Sequence, residues 1–360
     1  MFRVLQIVGS LNMGGAENFV INLYRNIDKE IIQFDFLLYD RPQGKNFYEE
    51  VEKSGARIYY VPPKKDGFRK NYEAVKTVVK KHGYQTVWRH TDNCFAGVDI
   101  IAARAGGAER LILHSHSTRC NGLEGMLHYI WKPIINCFAT ERFACGEEAG
   151  KWLFGKKSFK VIANGIDVRR CCFRQKTRVE YRQILNLEDK FVIGNVGRFG
   201  AEKNHIFLLD IFKEMCVRKK NAVLLLIGDG ELQDNVRDKV TKLGIVDKVF
   251  FLNTRTDVPE IMQAMDVFCM PSLYEGLPVA LIEAQAAGLP CVVSDVITRE
   301  VDVTGNLRFI GLNESVQTWG DVIENIPDID RAKMAERVKK AGYDVRDVAL
   351  EIQQILECAE

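Results

Sequence analysis

Short runs rich in Val, Ile, Leu and Phe alternate along this chain with longer segments whose apolar residues recur every three or four positions. "RVLQIVGS" opens as a strand, "AENFVINLYRNI" follows at helical spacing, and "FDFLLYD" is a strand again. "RIYYVP", "TVWRH", "RLILHSH" and "RFACG" extend the series, and "KVIANGIDVRRCCF" closes it as a last strand and an inter-domain turn. A second series then begins with "FVIGNVGRF", "AVLLLIGDGE", "KVFFLN", "EIMQAMD", "VFCMPS" and "PCVVSD". From about Glu314 the pattern is helical to its end in "VALEIQQILECAE". Strands alternating with helices predict parallel sheets, and apolar runs this dense predict sheets covered by helices on both faces. The expected fold class is therefore α/β, with two open, doubly wound domains in tandem: residues 1–168, residues 169–342, and a C-terminal helical segment 343–360. A chain of 360 residues is also longer than a single core comfortably serves.

Sheets of this kind collect their ligand sites at the carboxyl ends of the strands, which directs attention to the strand-to-helix loops. In "VFCMPSLYEGLPVALIEAQAAGLP", Glu275 falls in such a loop and Glu283 lies more than a turn inside the following helix, with Pro278 in its first turn and Gly288 and Pro290 as stop signals. Carboxylates in an apolar run need partners. A cleft-facing carboxylate finds them in sugar or ribose hydroxyls; a structural one finds them in backbone or arginine groups. Loop amides and the helix N-terminus at Gly276, Leu277, Pro278 and Val279 suit phosphate oxygens. "GNVGRFGAEKNH" sets Arg198 and Lys203 after the first strand of the second series, a cationic pair suited to a diphosphate. No Asp-x-Asp pair stands in a suitable loop to hold a divalent metal, and no CxxC pair marks a zinc site, so no metal is expected, catalytic or structural.

In the first domain, "LNMGGAENF" places Gly14 and Gly15 between a strand and a helix, where a backbone without side chains can approach a ligand or simply turn. It is not the GxGxxG fingerprint, which argues against a nicotinamide-dependent oxidoreductase. Three of six histidines, His90, His114 and His116, fall at strand ends, where core or loop packing and ligand contact are both open.

Taken together, these residues resemble the retaining GT-B glycosyltransferases of family 4, particularly those assembling bacterial capsular and exopolysaccharides. The resemblance rests on "GGAE", "HSH", "NGID", "VGRFGAEKNH", "IGDGEL", "AMDVFCMPSLYEGLPVALIEAQAAGLP" and "VSDVIT", which span nearly the whole chain. It implies two Rossmann-like domains facing each other across a cleft, with the last helix crossing back to the first domain. It also implies roles: Glu283 on the ribose hydroxyls of a nucleotide sugar, Glu275 on the donor sugar, and Arg198 and Lys203 on the diphosphate, joined by amides of Leu277 to Val279. Gly15 would lie against the donor from the other domain, His116 would touch the sugar, and Arg255 in "LNTRTDV" would sit near the base, expected to be uridine. Asn253 stands where relatives often carry glycine. The implied partners are a nucleoside diphosphate sugar and a saccharide or lipid-linked acceptor. A GT-B nucleotide-sugar 2-epimerase, or a non-catalytic partner subunit, would share the architecture; the intact Arg198, Lys203, Glu275 and Glu283 set argues against the second.

Charge and cysteine content refine this reading. Residues 1–170 carry 26 Lys and Arg against 18 Asp and Glu, a charge of +8, and the remainder carries −6. Seven of those basic residues lie in "KKDGFRKNYEAVKTVVKKHG", which reads either as a solvated helix or as a face resting on anionic lipid. No nucleic-acid partner is expected. Ten cysteines without a CxxC pair, several of them inside strands, indicate a reducing, cytoplasmic setting. The first residues lack the layout of a signal peptide.

Overall fold

The computed structural model describes residues 2–12, 14–43, 46–91, 94–117 and 122–358. It divides the chain into two compact units: residues 1–165 with 345–360, and residues 166–344.

The first unit is built on β1 (Phe2–Ile7), β2 (Ile32–Leu38), β3 (Ile58–Tyr60), β4 (Thr86–Thr91), β5 (Arg110–Ser115), β6 (Glu141–Ala144) and β7 (Lys160–Val161). All neighbours run parallel, in the order β3-β2-β1-β4-β5-β6-β7. The order reverses between β1 and β4, so the loops leaving those two strands diverge to opposite faces and open a crevice between them. The core under the sheet gathers Val4, Phe34, Phe36 and Trp88 with Phe19 and Leu23 of the helix Gly15–Asn26. Val348, Ala349, Ile352 and Leu356 of the helix Val345–Glu357 complete it. The last helix is thus a core element of the first unit, and Arg110 of β5 clamps its carbonyls at Ile355 and Leu356 (2.7 and 2.8 Å).

The second unit holds β8 (Phe191–Val196), β9 (Ala222–Ile227), β10 (Val249–Phe251), β11 (Val267–Met270), β12 (Cys291–Ser294) and β13 (Leu307–Ile310), parallel throughout, in the order β10-β9-β8-β11-β12-β13. Its switch point lies between β8 and β11. Strand β13, "LRFI", was not among the strands expected from the pattern: with Arg308 exposed it lacks the unbroken apolar density of β11 and β12, although it is as long as they are. Cys269 and Cys291 are fully buried within β11 and β12, where each acts as a small apolar side chain. Nine cysteines are free thiols, and Cys120 lies outside the described residues.

The chain passes between the units at Gly165–Ile166 and again at Asp344–Val345. A Cβ on Gly165 would stand 2.8 Å from Val345 Cα, so only glycine lets these two backbones touch. The basic helix Phe68–His82 buries Val75 and Val79, leaves Lys80 and Lys81 exposed, and carries Phe68 half-exposed at its start. Among the described residues, no helix is long and apolar enough to cross a membrane.

Ile352 is fully buried in the first unit's core, whereas Leu350 on the same helix is 57% exposed. Ile352→Ala should therefore lower stability by about 2–5 kcal/mol, seen as a reduced urea midpoint, and Leu350→Ala should leave the midpoint unchanged.

Candidate active site

The loops after β8 and β11 flank the crevice of the second unit, and backbone and side chain tie them together. Leu273 N donates to Glu202 O (2.8 Å) and Asn204 Nδ2 to Pro271 O (3.1 Å). Asn204 takes the left-handed conformation (φ 54°), which asparagine tolerates better than most residues, and starts the helix His205–Arg218. Behind the loop, a Cβ on Gly228 would lie 2.0 Å from Gly197 O, so "VGRFG" and "GDG" pack backbone on backbone. Phe199 fixes the contact, its N–H donating to Asp229 O (3.0 Å) and its carbonyl accepting from Leu232 N (3.0 Å).

On this platform Lys203 Nζ lies 2.7 Å from Glu275 Oε1, with both side chains largely buried (15% and 9% exposed). Ser272 Oγ donates to the same oxygen at 2.7 Å. The diphosphate lysine and the sugar glutamate expected from the sequence thus meet in a direct, largely buried ion pair at the switch point. Arg198 differs. The tight turn does not confine it; its side chain is 63% exposed, 3.2 Å from Glu202 and 3.8 Å from Glu231. Exposed pairs of this kind hold a side chain weakly, leaving Arg198 free to turn toward an anion.

Pro278 stands just before the helix Val279–Ala286 rather than in its first turn, in extended conformation, and Gly288 (φ 64°) ends it as expected. The first N–H groups of this helix lack intrahelical acceptors by construction, next to the Gly276–Leu277 loop. Glu283 projects from the helix into dense surroundings while keeping partial solvent contact. Loss of solvent raises its pKa to about 7, opposed by the positive charge of Arg170. Arg170 itself is gripped by Glu260 (2.9 and 2.8 Å) and by Thr256 O (2.7 Å). Arg170 was not singled out from the sequence: it lies over a hundred positions from Glu283, and nothing local in "DVRRCC" marks it.

Arg255 is committed to Asp257 through two hydrogen bonds (2.7 and 2.6 Å), and Tyr181 OH adds a third contact to that carboxylate at 3.2 Å. Asn253 takes φ 54° while its carbonyl accepts from Gly228 N (3.0 Å), which explains an asparagine where glycine is the alternative.

In the first unit, Gly14 caps the helix Gly15–Asn26 and Gly15 is its first residue. A Cβ on Gly15 would meet nothing within 4 Å, so the backbone there faces open space. His90 and His114 are register partners on β4 and β5, and His116 follows, its N–H on Thr91 O (3.0 Å). The three rings form a cluster: His90 Nδ1 is 2.9 Å from His116 Nε2, and His90 Nε2 is 2.8 Å from Gln6 Oε1 of β1. Phe19 packs against all three and Trp88 stacks on two. Burial pushes every one of these imidazoles below its ordinary pKa, His116 to about 3. Both nitrogens of His114, and Nδ1 of His116, are buried without a partner among the described residues. Each such nitrogen costs roughly 1–3 kcal/mol. The end of β4 is anchored by Asp99, whose Oδ2 accepts from Tyr39 OH (2.6 Å), Lys64 Nζ (2.6 Å) and Arg89 Nε (2.8 Å).

Two parallel-sheet Rossmann-like units, each with polar loops at its own switch point, make this a GT-B protein. The family model described as glycosyl transferases group 1 matches residues 177–345. EpsF of Bacillus subtilis, itself assigned as a glycosyltransferase, is 36% identical over 96% of this chain and 93% of its own. The chain belongs to the group 1 glycosyltransferases. An Escherichia coli UDP-Gal:α-D-GlcNAc-diphosphoundecaprenol α-1,3-galactosyltransferase is 31% identical over 61% of this chain and 60% of its own. HepE of Anabaena, solved in complex with UDP and glucose, superposes with a TM-score of 0.80 at 21% identity, covering 99% of this chain and 100% of that one, a likeness of fold.

Glu283 holds its proton up to about pH 7 in the folded chain, against 4.5 for an ordinary glutamate. Folding therefore takes up a proton between those values, and the stability it brings is complete below pH 4.5 and lost as pH rises through 7. Glu283→Gln should be about 3 kcal/mol more stable than the parent at pH 8 and equal to it at pH 4, measured by urea unfolding without nucleotide.

Proposed function

We propose that this glycosyltransferase moves a sugar from a UDP-sugar to a hydroxyl of a saccharide or lipid-linked saccharide, in the assembly of a capsular or exopolysaccharide, with retention of anomeric configuration. The observation that carries the reading is the Lys203–Glu275 pair, 2.7 Å apart across the crevice of the second unit, with the exposed positive charge of Arg198 in the neighbouring loop. The E. coli relative acts with UDP-Gal on a diphosphoundecaprenol-linked sugar, and HepE was solved with UDP, which favours uridine and a lipid-linked acceptor.

The chemical difficulty is charge. As the glycosidic bond to the diphosphate lengthens, the sugar becomes cationic and the departing oxygens gain negative charge. Lys203 and the N–H groups around Leu277 to Val279 supply fixed donors for those oxygens, and Arg198 turns in to join them. Lys203 is already paired, so the diphosphate need only share an ammonium that Glu275, itself hydrogen-bonded by Ser272, holds in position. Glu275 then turns its remaining acceptor capacity to the donor sugar. Glu283 accepts from the ribose hydroxyls, Gly15 leaves room for the donor at the first unit, His116 touches the sugar, and Arg255, fixed by Asp257, lies by the base. Same-face attack, with the leaving phosphate taking the acceptor's proton, accounts for retention with no carboxylate nucleophile beneath the sugar. The positive charge comes from side chains, so the reaction runs without a divalent metal. A lipid-borne acceptor suits the basic helix Phe68–His82 resting on anionic lipid at the cytoplasmic face of a membrane.

Arg198→Ala, Lys203→Ala and Glu283→Ala should each lower kcat/KM for the donor by about 10²–10³ under conditions where each variant is folded, checked by circular dichroism, and a chelator should leave the parent's rate unchanged. Thermal stabilisation across UDP- and GDP-sugars identifies the donor. Full turnover in all three variants would overturn the assignment, and product analysis with donor alone separates transfer from 2-epimerisation.

A further inference from the structure

We propose that His90, His114 and His116 form a three-imidazole site for a divalent transition-metal ion, zinc above all, in the first unit. Each ring offers one nitrogen, and the three lie within 4.8 Å of one another. Zinc bound at about 2.0–2.1 Å needs its ligand nitrogens about 3.3 Å apart, so small ring rotations close the set. Gln6 Oε1 can only accept, which puts the proton of His90 on Nε2 and leaves the Nδ1 lone pair facing His116. A carbonyl that fixes the far nitrogen of a ligating histidine is the support metal sites ordinarily have.

Packing alone does not account for the cluster. A core position that needs only an aromatic ring is served by phenylalanine, as Phe19 and Phe143 show beside it, whereas both His114 nitrogens are buried with no partner among the described residues. Phe19 and Trp88 supply an apolar wall, and His116, partly exposed, leaves an entry side. The site shares His116 with the proposed sugar contact, and its test needs no turnover.

Full-length protein freed of metal by chelator and dialysis is titrated with zinc chloride by calorimetry, and with cobalt(II) by visible absorption. One equivalent per chain is expected, with a visible cobalt spectrum of imidazole ligation. His114→Phe should lose roughly 100-fold or more in affinity while melting no lower than the parent in metal-free buffer, since the ring is replaced and the unpaired nitrogens are gone. Should that variant fail to fold, Gln6→Leu serves instead, with an expected loss of about 10–100-fold. No uptake by the parent at micromolar metal, or uptake undiminished in the variant that folds, overturns the proposal.

Discussion

An ammonium and a carboxylate held 2.7 Å apart at the switch point of a parallel sheet set the constraint on which the second unit is built. Neither group reaches the other from its own loop alone. The loop after β8 must be compact, which the backbone contact of Gly197 with Gly228 makes possible, and the loop after β11 must lean on it, which the bonds from Leu273 and Asn204 enforce. Strand order does the rest, since only adjacent strands whose helices leave to opposite faces keep such a crevice open. The pair resists screening because it is mostly out of water, yet its lysine keeps donors for a further anion.

Glu283 obeys a different balance. Its helix is apolar apart from the buried Gln285, and the opposing charge, Arg170, is divided between Glu260 and a backbone carbonyl. The carboxyl is thus under-compensated, which is why its pKa rises. Lys203 and Glu275 are satisfied beforehand. One acid of the E-x7-E spacing is therefore prearranged and the other is kept in reserve.

Much of this was legible in the chain itself, because it depends on local signals. Glycines at Gly197 and Gly200 marked a turn, apolar runs marked strands, and the residues between them had to fall at strand ends. That is enough to bring Arg198, Lys203 and Glu275 to one end of one sheet. What stayed hidden depends on contacts far apart in sequence: the Arg170–Glu283 proximity, the Asp257 that holds Arg255, and the way register pairs His90 with His114. Strand β13 was missed for another reason, since four residues with an exposed arginine carry no distinguishing period.

The return of the helix Val345–Glu357 to the first unit has a bearing on biosynthesis. Val348, Ile352 and Leu356 seal a core whose other walls are laid down within the first 165 residues. As the polypeptide leaves the ribosome, that half must wait, its apolar surface open, until the second half has emerged and can condense. The order of maturation is then the reverse of the order of translation: the unit made first is finished last.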